Sequence, residues 1–238
     1  MSAGVEWIGV AVACAAIAGC GRGDAAASRA VSRDTAAVAR ADSTPTPHTG
    51  KPAILFVGES LTAGLGLDPD SAFTSLIQRR IDSLGLNYDV INAGVSGETS
   101  AGALRRIDWV MHQPAAIVVL EVGANDGLRA LSVDSLRSNL QQVIDRVHAA
   151  QPRARIVLVG LQAPPNLGAR YASAFRNVYP ELARANHLVL LPFLLNGVAG
   201  VDSLNQGDGI HPNAHGERIV AETVWRTLAP LLGRPGPA

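Results

Sequence analysis

From Pro52 onward the sequence predicts an α/β domain: a three-layer α/β/α sandwich around a five-stranded, mostly parallel sheet. Two observations carry this. Short apolar runs of strand length alternate with longer amphipathic stretches of helical period, and polar, glycine-containing clusters follow the runs.

The first strand candidate is Ala53–Val57, and the helix that follows it is Ala72–Leu84. Tyr88–Asn92 leads to a helix over Ala101–His112, Ala115–Val122 to one over Val133–Ala150, and Arg155–Gly160 to one over Ala169–Ala185. The fifth strand is Leu188–Leu191, and the chain closes on a helix over Pro212–Leu232. There Ile219, Val220, Val224, Leu228 and Leu231 recur near helical period, as expected of a helix docked on a sheet. No internal repeat is evident. In sheets of this kind ligands bind beyond the carboxyl ends of the strands, so the residues just after each strand are the ones to inspect.

A chain of 238 residues, 47% of them apolar, has room for one such domain and a tail. Its 20 basic and 20 acidic side chains balance, so no global field favours nucleic acid or another polyanion. The only cysteines, Cys14 and Cys20, precede the domain, which leaves it no thiol for a disulfide, a zinc site or a nucleophile.

The run Trp7–Gly19 is uncharged and apolar but falls short of the roughly 20 residues that span a bilayer, so it reads as a signal-peptide core. It ends Ile17-Ala18-Gly19-Cys20, which resembles the bacterial lipobox; the resemblance implies a lipid on Cys20, cleavage before it, and a membrane partner. Gly21 after the cysteine resembles lipoproteins sent to the outer membrane, which implies a place in the cell envelope, on its periplasmic face. Residues 21–52, rich in Ala, Ser, Thr, Arg and Asp, show no sustained apolar period and read as a disordered tether. A flexible coil of that length holds a domain roughly 30 Å from its anchor on average. The expected organisation is therefore a signal segment over 1–20, a tether over 21–52 and a catalytic domain over 53–233.

Four polar clusters mark the strand ends. The first strand runs into Gly58-Glu59-Ser60-Leu61-Thr62-Ala63-Gly64, with glycines that permit a tight turn around the serine. No P-loop lysine follows, which counts against nucleotide binding. The second strand meets Asn92-Ala93-Gly94-Val95-Ser96-Gly97-Glu98-Thr99, the third Gly123-Ala124-Asn125-Asp126, and the last helix is preceded by Asp208-Gly209-Ile210-His211-Pro212-Asn213. Singly, each is ordinary: a turn serine, a glycine of positive φ, an asparagine at a turn or cap.

In this order and together, the four resemble the conserved blocks of the SGNH (GDSL-like) hydrolases, in particular the branch of periplasmic acyl-thioesterases, lysophospholipases and arylesterases. The resemblance runs from Ala53 to the last helix and includes Leu191-Pro192-Phe193. It implies the flavodoxin-like SGNH fold, with Ser60 as nucleophile, Asp208 and His211 completing the triad, and Ser60, Gly97 and Asn125 supplying the oxyanion hole. It implies hydrolysis of small acyl esters or thioesters without metal or organic cofactor. One residue departs from the motif: Glu59 stands where GDSL has Asp.

The residue types suit that chemistry. A serine hydroxyl needs a base to take its proton, His211 is the candidate, and Asp208 three residues earlier can orient the ring from the same loop. The tetrahedral intermediate needs donors aimed at its oxyanion, each typically worth about 3 kcal/mol. His215 suggests a metal pair with His211, but a third ligand cluster is missing, so it reads as a surface residue; His48, His112, His148 and His187 read as structural or exposed. Asp126 reads as a loop anchor. The stretches Asp126–Ser132 and Leu161–Gly168 are too short for a lid and bring Leu128, Leu131, Pro164, Pro165 and Leu167 to the strand ends, with Arg129 and Arg170 as solvated arginines at the rim. Three rival readings share these residues: an acyltransferase, a carbohydrate deacetylase, and a silent envelope-binding lipoprotein.

Overall fold

A computed structural model describes residues 50–233. The expected signal segment, Cys20, His48 and the tether as far as Thr49 lie outside the described residues.

Five strands form one parallel sheet: β1 (Ala53–Gly58), β2 (Asp89–Gly94), β3 (Ile117–Glu121), β4 (Arg155–Val159) and β5 (Val189–Leu191), in the order β2-β1-β3-β4-β5. The expectation of a mostly parallel sheet thus sharpens to an all-parallel one. Every residue of β1 and of β3 is buried, which is why AILFVG and IVVLE read as continuous apolar runs and not as alternations. The edge strands β2 and β5 are only half-buried and carry weaker patterns.

The long helices are α2 (Phe73–Ser83), α3 (Ser100–Val110), α5 (Val133–Ala150), α6 (Ala169–Ala185) and α7 (Ala214–Leu228). α2 packs with α7, and α3, α5 and α6 pack in series, forming the two outer layers. In α5 the buried residues Leu136, Leu140, Val143, Ile144 and Val147 make one apolar stripe. Two short helices, α1 (Ser60–Ala63) and α4 (Ala124–Leu128), fall in stretches that the sequence presents as loops. The last helix begins later than expected. Pro212 forms an isolated bridge with Asn205, and the helix starts behind Asn213, whose side chain accepts from the amides of His215 and Gly216. A 3-10 turn over Ala229–Leu231 finishes it.

The order of strands reverses between β1 and β3, since β1 connects outward to β2 and the chain then returns to the other side. At such a switch point the loops leaving the two central strands diverge and open a crevice at their carboxyl ends. Ser60 follows β1 and Asn125 follows β3, so both lie at that crevice. A concavity of about 1030 Å³ at the opposite edge, among Pro52, Tyr88, Pro114, Arg153 and Leu231, is where the described chain enters and leaves.

Candidate active site

Ser60 opens α1, two residues past the end of β1, and is 7% exposed. The turn that presents it needs the glycine before it. A Cβ on Gly58 would lie 2.0 Å from Thr62 Oγ1 and 2.7 Å from Glu121 Oε2, so no other residue lets α1 fold this tightly against the strand. His211 arrives from the loop before α7, with Nε2 2.8 Å from Ser60 Oγ and Nδ1 2.6 Å from Asp208 Oδ2. Asp208 also accepts from the amides of Ile210 and His211 through Oδ1. These hydrogen bonds, the His211 ring first, hold its carboxyl down at about 2, so it is ionised and selects the tautomer with the proton on Nδ1. The lone pair of Nε2 is then left facing the Ser60 hydroxyl, as proton transfer from that hydroxyl requires.

Three N–H groups are candidates for the oxyanion hole: the amides of Ser60 and Gly97 and the side chain of Asn125. The amides of Ser60 and Gly97 donate to no acceptor among the described residues. Gly97 has φ 78°, a conformation that favours glycine. Its loop is fixed from both sides: Glu98 takes a bidentate hydrogen bond from the Nε and Nη2 of Arg106, which also reaches Gly58 O, and Arg129 Nη2 donates to Gly97 O at 3.0 Å. Asn125, in α4, is 8% exposed and donates one amide hydrogen to Glu59 Oε2 at 2.9 Å. Asp126 beside it faces away and accepts from Ser100 N and Ser100 Oγ, which caps α3 and anchors the loop.

Beneath the serine two buried carboxylates cross between the strands. Glu59, after β1, reaches towards β3 and accepts from the amides of Gly123 and Asn125 and from Asn125 Nδ2. Glu121, at the end of β3, reaches back and accepts from Glu59 N and Thr62 Oγ1. Burial, and for Glu59 the nearby Glu121 charge, push both carboxyls well above the usual carboxylate range, so the pair shares one proton near neutral pH. Glu59 accepts three N–H donors. Glu121 Oε1 meets no partner among the described residues.

Measured against known proteins, residues 56–219 match the model of the GDSL-like lipase/acylhydrolase family. The chain belongs to that family. It is 42% identical over 180 residues to esterase TesA of Pseudomonas aeruginosa, covering 75% of this chain and 89% of that one. It is 35% identical over 181 residues to the thioesterase 1/protease 1/lysophospholipase L1 of Escherichia coli K12, covering 75% and 84%. The psychrotrophic esterase EstA of Pseudoalteromonas, in a structure inhibited by monoethylphosphonate, superimposes with a TM-score of 0.72 at 32% identity, covering 76% of this chain and 98% of that one. This GDSL-like protein is accordingly a serine esterase, a carboxylic ester hydrolase with the α/β fold of its relatives.

In this family member the structure brings Ser60, His211 and Asp208 into one hydrogen-bonded line; Arg129 links Gly97 to Asn125, and Asn125 contacts Glu59 beside the serine, while Cys20 is outside the described residues. His215, His112, His148 and His187 are all exposed. Arg170 is exposed at the start of α6, whereas Arg129 stands against Gly97 and Asn125. Sequence reasoning missed Glu121, Glu98 and Arg106. One signal was there for the first: a glutamate closing the run IVVLE must be buried with the strand, and a buried carboxylate requires partners.

Proposed function

We propose that this esterase acts through an acyl-enzyme on Ser60, with His211 as general base and acid, Asp208 as its orienting carboxylate, and Ser60 N, Gly97 N and Asn125 Nδ2 as oxyanion donors. The unbroken hydrogen-bonded chain from Asp208 through His211 to Ser60 carries the reading. Ser60 Oγ attacks the acyl carbon as its proton passes to His211 Nε2, and the carbonyl oxygen becomes an oxyanion among the three donors. Collapse expels the alcohol or thiol, which takes the proton from His211. A water molecule, deprotonated in turn by His211, attacks the acyl-enzyme and releases the acid.

The substrate class is short- to medium-chain esters and thioesters, including lysophospholipids. Six of the eight large apolar side chains left exposed among the described residues, Leu65, Val95, Leu128, Leu131, Val201 and Ile210, lie in α4 or in loops at the carboxyl side of the sheet. An acyl chain laid on such a collar gains about 0.8 kcal/mol per buried methylene. The names of the relatives, esterase and thioesterase/lysophospholipase, support the same class. The chain is held in the cell envelope, at the periplasmic face of the outer membrane, by a lipid on Cys20; the support is the Ile17-Ala18-Gly19-Cys20 segment and the run before it. The test is labelling with a fluorophosphonate and mapping of the labelled peptide. The label is expected on Ser60 alone and absent from Ser60→Ala; recovery on another serine, or full ester hydrolysis by Ser60→Ala, would sink the mechanism.

A further inference from the structure

Glu59 is a buried carboxyl group one residue from the nucleophile, and nothing in the acyl-transfer steps uses it. Its contacts all run to the turn that carries Asn125. Oε1 accepts from Gly123 N at 2.7 Å, and Oε2 accepts from Asn125 N at 2.8 Å and from Asn125 Nδ2 at 2.9 Å. A carboxamide can sit in a site in two orientations with nearly the same shape, and only one turns an N–H towards an oxyanion. Rotated by half a turn, Asn125 would place Oδ1 against Glu59 Oε2, oxygen against oxygen, with the amide hydrogens lost from a buried acceptor. On the far side Arg129 Nη2 lies 3.5 Å from Asn125 Oδ1, so the rotated amide would also face a cation with its NH2 group.

We propose that Glu59 is the positioning residue of the oxyanion hole: its carboxylate fixes the Asn125 amide with one N–H on Glu59 and the other directed at the substrate oxygen. The inference rests on the reading of Asn125 as an oxyanion donor and deepens it. Glu121 completes the device from the other strand. By holding Glu59 N and Thr62 Oγ1 it ties the Ser60 turn to the end of β3, while Glu59 ties the Asn125 turn to the end of β1. Nucleophile and oxyanion donor are thereby held in mutual register, at the tolerance that efficient catalysis demands.

A neutral glutamine at this position has one acceptor where the carboxylate has two. Its NH2 group must face either Gly123 N–H or the two donors of Asn125, and either encounter displaces the turn that presents Asn125. The test is a double-mutant cycle on the full chain, with a soluble nitrophenyl ester, read as kcat and KM alongside a melting curve. Asn125→Ala is expected to lower kcat about 100-fold, the typical loss for one oxyanion donor. Glu59→Gln is expected to lower kcat roughly 10- to 100-fold with KM within about twofold, and Glu59→Asp to fall between it and the parent. In the Asn125→Ala background either Glu59 variant should cost less than about twofold more, because the amide it positions is gone. Should Glu59→Gln fail to fold, Glu59→Asp runs the same cycle. Additive losses would show a merely structural role and overturn the proposal, as would a Glu59→Gln enzyme of parental kcat. An Asn125→Ala enzyme of parental kcat would overturn the oxyanion reading itself, an outcome distinct from the other two.

Discussion

At the scale of single residues, the proposed triad divides its work unequally. In the proposed mechanism His211 moves the proton, so His211→Ala should cost kcat on the order of 10⁵-fold or more, while Asp208→Asn should be milder by about tenfold or more. An asparagine can still accept from the amides of Ile210 and His211 through its oxygen, but it turns an NH2 group to the ring and favours the wrong tautomer. The two single-variant rates on one soluble ester check the ranking; equal losses would contradict it. The sign of the Asp208 contribution follows from its depressed carboxyl. A group held at about 2 keeps its stabilising interaction at every pH above the usual carboxylate value of 3.8 and loses it only as pH falls through about 2. Loss of activity above pH of about 4 in the parent enzyme therefore reports a group other than Asp208.

At the scale of elements, the joint between α2 and α7 shows how one helix completes another. Ala72 precedes α2 and has no side chain to cap it, and Glu217 of α7 accepts from Phe73 N in its place, at 2.6 Å. Arg80 of α2 lies 4.5 Å over the ring of Trp225 and pairs with Glu222, both on α7. Burial pushes the Glu217 carboxyl up to about 8 from an ordinary 4.5. Between those values the folded chain keeps a proton that the unfolded chain has released, so stability falls as pH rises through that window. Glu59 and Glu121 act in the same direction. Melting curves taken from about pH 5 to about pH 8.5 should show the midpoint falling, with a cost of a few kcal/mol across the range. Glu217→Gln, which retains an acceptor for Phe73 N, should flatten part of that fall and match or exceed the parent near pH 8. An unchanged slope in this variant would refute the account.

At the scale of the whole molecule, the chain enters the sheet at Gly50 and Ala53, at the amino end of β1, while Ser60 stands at its carboxyl end. The described chain thus begins at the end of the sheet opposite to the one that carries Ser60. Initial rates on nitrophenyl esters are expected to pass smoothly through the concentration at which the longer members form micelles. A sharp rise there, or no turnover of any monomeric ester, would overturn the open-cleft reading. Cys20→Ser is expected to move the protein out of the membrane fraction and leave ester hydrolysis as it was; unaltered membrane association would favour an uncleaved anchor over Trp7–Gly19. Among the described residues no helix is long and apolar enough to cross a membrane.

The sequence by itself determined the layers and the list of candidate reacting groups. Buried parallel strands must be apolar throughout and docked helices apolar on one stripe, so β1, β3, β4, α5 and α6 are visible as patterns. Ser60, Asp208 and His211, which the fold joins by hydrogen bonds, are legible because the proposed nucleophile, base and carboxylate are particular chemical types in loops beyond the strands. Short helices such as α1 and α4 have too few residues to show a period, so the turns that present Ser60 and Asn125 look like loops. Tertiary structure alone decided what holds those turns. Glu59 meets Asn125 across 66 positions, Glu121 meets Thr62 across 59, and Glu217 meets Phe73 across 144. A buried carboxylate is tolerated only where donors converge on it, and that convergence is a property of the folded sheet, with no local sequence signature to announce it.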